Sequence, residues 1–185
     1  MFAARSTGLA VLAAALAVSA TAQQSPAAAA PPPQAKPAFE VQVATVEAIH
    51  AVVLPMKGSY MQHPDAFGRL GTFLTGHNVK PEGPIFARYY SDPSVGEANL
   101  VWEVGIAVPA GTTAEAPFEV KDIPSALTAV HAHQGALEEL GSAWGTMIQW
   151  VTTNGYQMAG PPTQVFKGDM MSGPPQVEMQ VPVAK

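Results

Sequence analysis

The feature that most constrains the fold of this chain is an internal repeat with a displacement of 77 residues. Glycines, Gly-Pro turns and aromatic side chains recur at that spacing without a gap, and such residues fix backbone and core positions. Two similar halves are therefore expected at about residues 41–108 and 118–183, although abundant Gly and Pro make a chance recurrence the alternative. The matching pairs are Gly58 and Gly135, Ala66 and Ala143, Phe67 and Trp144, Gly68 and Gly145, Phe73 and Trp150, Gly83-Pro84 and Gly160-Pro161, Tyr89 and Phe166, and Asp92 and Asp169.

Each half carries the same order of periodic patterns. Apolar residues from Leu137 to Val151 recur at helical spacing, and Asn154-Gly155 ends that helix. Pro64 opens the corresponding first helix, where its missing N–H costs nothing. These patterns predict an α+β fold: a duplicated β-α-β-β unit, a mostly antiparallel sheet with two helices on one face, and a pseudo-two-fold axis. The predicted strands are 41–54, 85–90, 100–108, 125–133, 163–167 and 177–183.

The first 38 residues are predicted to lie outside the folded domain. Residues 1–22 combine Arg5, a short apolar run and Ala20-Thr21-Ala22, which are the parts of a secretory signal peptide. The run is too short to span a bilayer, although an uncleaved anchor is the alternative. Residues 23–38 are rich in Ala and Pro and predict a disordered linker, so the domain is expected at 39–185. A periplasmic or secreted protein with no stable membrane anchor after cleavage is the expectation.

The composition excludes several classes of function. The chain has no cysteine, so disulfides, thiolate metal sites, a cysteine nucleophile and a lipoprotein anchor are excluded. The net charge is −5, and the Lys and Arg residues are scattered singly. Without a basic stripe to neutralise phosphates, nucleic acid is not an expected partner. Because a signal and a linker fill the N-terminal region, no DNA-binding segment is expected there.

Several short segments follow one another in a recognisable order along residues 39–185. They are 83–90 (GPIFARYY), 101–108 (VWEVGIAV), 123–126 (IPSA), 133–135 (HQG), Leu140-Gly141, Trp150, 154–156 (NGY) and 160–162 (GPP). This ordered set resembles the GyrI-like family of small-molecule-binding, or effector-binding, domains. The resemblance implies an aromatic-lined groove for lipophilic, often cationic, compounds. Two alternatives follow from related proteins: a hydrolase of strained-ring compounds, and a haem or tetrapyrrole binder like the SOUL family, which shares the duplicated unit.

The sequence departs from the family pattern on the strand after the second Gly-Pro turn. The family commonly has a carboxylate two residues before a tyrosine there, whereas this chain has Gln164-Val165-Phe166. A neutral amide cannot neutralise a ligand cation, and it cannot act as a general acid or base. This departure weakens both the cation-binding and the hydrolase interpretations.

The candidate ligand-binding residues are aromatic or polar side chains on the paired strands and the helices. Tyr89, Gln164 and Phe166 share a predicted strand face and would form two walls and a polar floor. For Trp102 and Trp144, core packing is the competing explanation and the one we favour, whereas Trp150 could reach the rim. The complete set is Tyr89, Trp102, Glu103, Trp144, Trp150, Gln164 and Phe166.

Glu103 and two histidines are the remaining candidates. Glu103 could supply the missing anion, or act as the catalytic residue of a hydrolase, but a solvated place on the outer sheet face is the expectation. His131 and His133 share a strand face, yet no third metal ligand is evident, so hydrogen-bonded surface residues are expected rather than a metal site. No catalytic residue, metal or cofactor is assigned, and whether the protein is an enzyme stays open. The leading hypothesis is a non-catalytic module that binds a small lipophilic molecule between the repeats.

Export gives the first testable prediction. Signal peptidase should cleave after Ala22, because Ala20 and Ala22 supply the small residues that the enzyme requires. N-terminal sequencing of the protein recovered from the producing cell should therefore begin at Gln23. A mature protein that begins at Met1 would contradict the prediction.

Overall fold

The repeat is visible in the bounds of the secondary-structure elements. A computed structural model describes residues 39–133, 136–167 and 176–185, and within these ranges it has two α-helices and nine strands. Short 3₁₀ turns at Tyr60–Gln62 and Leu137–Glu139 precede the helices. The elements are β1 (Gln42–Val46), β2 (Ile49–Lys57), α1 (His63–Gly76), β3 (Ile85–Tyr89), β4 (Val101–Ala107), β5 (Glu119–Ile123), β6 (Ala126–His133), α2 (Leu140–Thr153), β7 (Gln157–Met158), β8 (Thr163–Lys167) and β9 (Gln176–Ala184).

The predicted α+β duplication is confirmed. Helix α1 begins at His63 and α2 at Leu140, 77 positions later, and each has 14 residues. The same displacement relates β1 to β5, and all strand pairs are antiparallel. Pro64 lies in the first turn of α1, and Gly155 follows α2 with a positive φ of 75°, as expected of a helix stop. Gly135 and Asp169, like residues 1–38, lie outside the described residues.

The two repeats exchange their first strands. The main sheet has the order β1-β6-β9-β8-β3-β4-β2-β5, and short β7 pairs with the end of β9. Strand β1 therefore pairs with β6 of the second repeat, and β5 pairs with β2 of the first. Two exchanged edge strands and the central β3–β8 pair join the halves at three places along one sheet.

This exchange corrects the predicted strand boundaries. The predicted single strand at 41–54 is two strands, β1 and β2, which Glu47 and Ala48 separate. Strand β5 was not predicted at all, because Glu119, Lys121 and Asp122 interrupt its apolar pattern. A strand at a sheet edge carries charges readily, since its outer side faces water, and this weakens its hydrophobic alternation.

Both helices cover the same face of the sheet. Helix α1 packs on β4 and β2, and α2 packs on β6 and β9. The first core includes Leu54, Leu70 and Trp102, and the second includes Met147 and Met179. Neither helix in the described ranges has the length and apolarity that a membrane crossing requires. The opposite face holds a smaller cluster of Ala51, Val53, Phe86 and Val165.

The smaller cluster depends on a glycine in β4, and this generates a prediction. A Cβ at Gly105 would lie 2.4 Å from Phe86 Cζ and 2.9 Å from Val53 Cγ1, and both side chains are buried. Gly105→Ala should lower the free energy of unfolding by about 1–3 kcal/mol through overpacking.

Gly68→Ala is the matched control, because Gly68 is exposed on α1 and nothing lies within 4 Å of the added Cβ. It should raise stability by up to about 1 kcal/mol, since alanine favours helix. Urea denaturation measures the free energy of unfolding of both variants, which should decrease in Gly105→Ala and increase in Gly68→Ala. A Gly105→Ala protein as stable as wild type would be inconsistent with the described packing.

Candidate functional site

The two repeats meet where β3 pairs with β8. Ala87 lies opposite Gln164, and Ile85 lies opposite Phe166. Because α1 packs on β2 and β4 whereas α2 packs on β6 and β9, these two central strands run between the helices. We call this strip and its flanks the seam. Its side chains are Tyr89, Gln164 and Phe166 from the strands, Phe67 from α1 and Trp144 from α2.

Aromatic contacts across the seam join one repeat to the other. The ring of Phe67 on α1 lies edge-on to Phe166 on β8, with centroids 5.2 Å apart. The ring of Tyr89 on β3 lies edge-on to Trp144 on α2, with centroids 6.3 Å apart. All four side chains are half-buried, so parts of their faces remain open to a ligand. Edge-to-face geometry leaves ring faces on which a planar apolar molecule can stack.

Three polar side chains, His63, Tyr89 and Gln164, lie within hydrogen-bonding distance of one another in series across the seam. We call them the polar line, and the part of the seam that they form is its floor. The Tyr89 hydroxyl lies 3.2 Å from His63 Nε2 and 3.2 Å from Gln164 Oε1. The other imidazole nitrogen of His63, Nδ1, donates to the backbone carbonyl of Tyr60. Since a carbonyl only accepts, Nδ1 carries the proton in the neutral ring and Nε2 is the acceptor. Gln164 itself is buried, with 7% of its surface exposed.

Burial keeps this polar line uncharged near neutral pH. It lowers the pKa of His63 below its usual 6.5, although the hydrogen bond to Tyr60 opposes the shift. It also raises the pKa of Tyr89 far above the ordinary tyrosine range. Burial, with the nearby charge of Asp92, raises the pKa of Tyr60 as well. In the described part of the chain, no carboxylate contacts Tyr89 or Gln164, so the floor presents dipoles rather than a fixed charge.

Two of the predicted tryptophans lie away from the open part of the seam. Trp102 is fully buried in the first core, where its Nε1 donates to the Gly58 carbonyl at 2.9 Å. It lies behind His63, with ring centroids 4.4 Å apart, and so supports the floor without being exposed to a ligand. Trp150 stacks on Tyr156, six residues beyond Trp144 along α2. That spacing turns its side chain away from the Trp144 side of the helix.

Glu103 requires a correction. It lies on the sheet face away from the helices, as its alternation with Trp102 and Val104 predicts, but it is 1% exposed rather than solvated. Its carboxylate accepts from Tyr90 at 2.6 Å, Lys121 at 2.8 Å and Arg88 at 3.4 Å. Burial would lower the pKa of Lys121, but the hydrogen bond and charge of Glu103 raise it overall. Glu103 therefore links three strands and does not reach the seam.

The two strand histidines hold two different segments: His131 contacts the one that enters β1, and His133 contacts the one that precedes α2. His131 Nδ1 lies 2.8 Å from the Glu40 carbonyl, and its ring stacks on Phe39 at 3.7 Å. His133 Nε2 lies 3.2 Å from the Ala136 carbonyl. Both side chains are buried, which corrects the expectation of surface residues, although the expected hydrogen bonds are present. Within the described ranges, no three potential metal-binding side chains come together.

His63, Tyr60 and Phe67 contribute to the seam but are not among the candidate residues from the sequence, although the repeat equates Phe67 with Trp144. In the sequence His63 forms no cluster with His50 or His77, and the repeat equates it with an ordinary apolar residue, Leu140. The imidazole of His63 reaches Tyr89 only because the start of α1 lies beside β3 in the folded protein. The repeat equates Tyr89 with Phe166 and so places Tyr89 on the same strand face as Gln164. Only the tertiary fold adds His63, the third member of the polar line.

The duplicated α+β fold is that of a family of small-molecule-binding domains. Residues 31–184 match the family described as the GyrI-like small molecule binding domain. This match spans most of the sequence, so the chain belongs to the GyrI-like family. No functionally curated protein matches this sequence.

Solved structures of three other proteins share the fold. The EcmrR C-terminal domain is 18% identical, with a TM-score of 0.71, over 80% of this chain and 98% of that domain. In an EcmrR–DNA complex (TM-score 0.72, 18% identity), the match covers 80% of this chain but 58% of EcmrR. A hydrolase encoded by lin2189 from Listeria innocua is 11% identical, with a TM-score of 0.57, over 80% of this chain and 93% of that one. SAV2435 bound to tetraphenylphosphonium is 14% identical, with a TM-score of 0.57, over 79% and 94%.

The buried ion cluster generates a prediction about stability. Glu103→Gln leaves Arg88 and Lys121 without their buried counter-ion, which should cost about 3 kcal/mol of unfolding free energy. Glu119→Gln is the control, because Glu119 also pairs with Lys121, at 3.3 Å, but is mostly exposed. It should cost less than about 1 kcal/mol.

Chemical denaturation measures both losses. The affinity of Glu103→Gln for a hydrophobic probe in the seam should stay at the wild-type level, because Glu103 lies on the other face. A Glu103→Gln protein of full stability, or one with altered probe affinity, would contradict this assignment.

Proposed function

We propose that this protein is an exported, non-catalytic module that holds a small lipophilic molecule in the seam between its repeats. The observation that carries the proposal is the pair of cross-repeat aromatic contacts, Phe67 with Phe166 and Tyr89 with Trp144, above a polar floor. Apolar walls with a few oriented polar groups are the usual composition of small-molecule sites. Membership of a small-molecule-binding family supports the same interpretation.

Export is supported by the sequence of the N-terminal region. A charged start, an apolar run and a small-residue cleavage site precede the Ala- and Pro-rich segment. In this proposal the segment 23–38 tethers the domain after cleavage, and the ligand is a compound met outside the cytoplasm.

The chemistry of the floor favours neutral over cationic ligands. SAV2435 has been solved with the lipophilic cation tetraphenylphosphonium. In this chain the seam offers the Gln164 amide and the Tyr89 hydroxyl, which can donate and accept but carry no full charge. A cation would lose hydration on entering without gaining a counter-ion.

The hydrolase alternative requires Glu103 as its catalytic carboxylate, and the position of Glu103 does not suit that role. Glu103 lies on the opposite sheet face and is already paired with two cations. General acid–base catalysis requires a titratable group within hydrogen-bonding reach of the reacting atoms. Glu103 cannot meet that requirement for a molecule in the seam, so ligand binding is the function that we propose.

The aromatic walls generate a binding prediction. Tyr89→Ala and Phe166→Ala should each weaken binding of N-phenyl-1-naphthylamine, a neutral fluorescent probe, by about tenfold or more, because each removes an aromatic contact surface. Trp150→Ala is the control, because its ring stacks on Tyr156 outside the seam. Probe titration gives the affinities, and denaturation gives the stabilities. Equal loss of affinity in all three variants would contradict the seam as the binding site.

Gln164 generates a prediction about charge selectivity. The wild-type protein should bind tetraphenylphosphonium more weakly than triphenylphosphine oxide, a neutral molecule of related shape. Gln164→Glu is nearly isosteric and should reverse this order, with a relative gain for the cation of about tenfold, or roughly 1.4 kcal/mol. Burial of the new acid cancels part of the Coulomb gain. Calorimetric titration of both compounds against both proteins is the measurement, and no relative gain would place residue 164 outside the ligand site.

A further inference from the structure

The polar line across the seam is one proton short when His63 is neutral. Its three members are joined through the Tyr89 hydroxyl, which has a single proton and two neighbours. The oxygen of Gln164 accepts that proton, and Nε2 of neutral His63 is also an acceptor, so both cannot be satisfied together. The Tyr60 carbonyl fixes this arrangement because it holds the proton of His63 on Nδ1.

Protonation of His63 completes the line. A doubly protonated imidazole donates from Nδ1 to Tyr60 and from Nε2 to Tyr89, and Tyr89 then donates to Gln164. Every donor in this series meets an acceptor. The geometry is thus prepared for an imidazolium, whereas burial of the ring disfavours the charge. What the site lacks is a counter-ion inside the seam.

Among the residues that the structure describes, none supplies such a counter-ion to His63. Its ring faces Tyr60 from the 3₁₀ turn, Tyr89 from β3, Trp102 from β4 and Phe67 from its own helix. Burial and the Tyr60 hydrogen bond cause the shift in its pKa. Asp65, which pairs with Arg69 along α1, and Asp92, whose charge acts on Tyr60, are both exposed. Gln164 uses its oxygen on Tyr89, which leaves its two amide N–H donors available to an anion.

We propose that the seam binds lipophilic acids: aromatic or aliphatic molecules that carry one carboxylate or sulfonate group. The anionic group accepts from the Gln164 amide, and His63 takes up one proton as the acid binds. The apolar part of the ligand lies against Tyr89, Trp144 and Phe166. This proposal rests on the seam being the ligand site, and it adds the class of ligand and a dependence on pH.

The sign of the pH dependence follows from linkage. The free protein holds His63 neutral above its lowered pKa, and a bound anion raises that pKa, so binding takes up a proton between the two values. The affinity for the acid therefore increases as the pH falls through the pKa of His63 in the complex, by at most about tenfold per pH unit, since one proton is involved. A neutral ligand of the same shape gains nothing.

A pair of matched fluorescent probes tests the proposal. 1-Anilinonaphthalene-8-sulfonate stays anionic throughout, and N-phenyl-1-naphthylamine is the same skeleton without the sulfonate. Each is titrated into the full protein, in physiological salt, at about pH 7.5 and about pH 5.5, a range that spans histidine titration. The sulfonate should bind about tenfold more tightly at the lower pH, and the neutral probe should bind equally at both.

Two variants test whether His63 causes the pH dependence of sulfonate binding. His63→Gln should lose the pH dependence for the sulfonate while it still binds the neutral probe, which also shows that the variant is folded. His77→Asn is the matched control, because His77 lies at the far end of α1 against Phe73, and it should behave as wild type. The pKa of His63, measured from the pH dependence of its imidazole NMR resonances, should also be higher when the sulfonate is bound.

The outcomes separate this inference from the proposed function. If the neutral probe binds but the sulfonate shows no pH dependence, or keeps it in His63→Gln, the acid-ligand proposal is overturned and the binding function stands. If neither probe binds in the seam, both proposals are overturned.

Discussion

The antiparallel pairing of β3 with β8 is the interaction on which the rest of the structure depends. Each helix covers the outer strands of its own repeat, so the place where the repeats join lies between the helices. Phe166 packs against both hydrophobic cores at this junction. The seam is therefore a direct result of duplication: two units that each bury one helix meet along strands that neither helix fully covers. Differences between the repeats, such as His63 against Leu140, make the site asymmetric.

Periodic patterns predicted the elements that bury a clear apolar face in the core. The positions of both helices, the strands β3, β4, β8 and β9, and the displacement of 77 residues all follow from local spacing. The boundary between β1 and β2, and the existence of β5, do not follow. Strands β1 and β5 lie at the two ends of the main sheet, and their residues are suited to a sheet edge rather than to an alternating core face.

The same distinction applies to the side chains of the site. Alternation along β4 correctly placed Glu103 on the face away from Trp102, but alternation carries no information about depth. Arg88, Lys121 and Tyr90 come from other parts of the sequence and enclose the carboxylate. Tyr89 and Gln164 could be placed on one strand face because the repeat equates Tyr89 with Phe166, whereas His63 reaches them only through the packing of α1. Sequence patterns thus identify the walls of the seam better than its polar chemistry.

The exchange of edge strands has a consequence for how the chain can be divided. Gln42 pairs with Val130, so β1 has no partner until the whole first repeat and β6 of the second have been synthesised. Each half lacks a strand that the other half carries, and neither is a complete folding unit. A chain break in the loop between β4 and β5 would therefore give two complementary fragments rather than two small domains. Each fragment would supply an edge strand to its counterpart, and they would remain associated through three strand pairings.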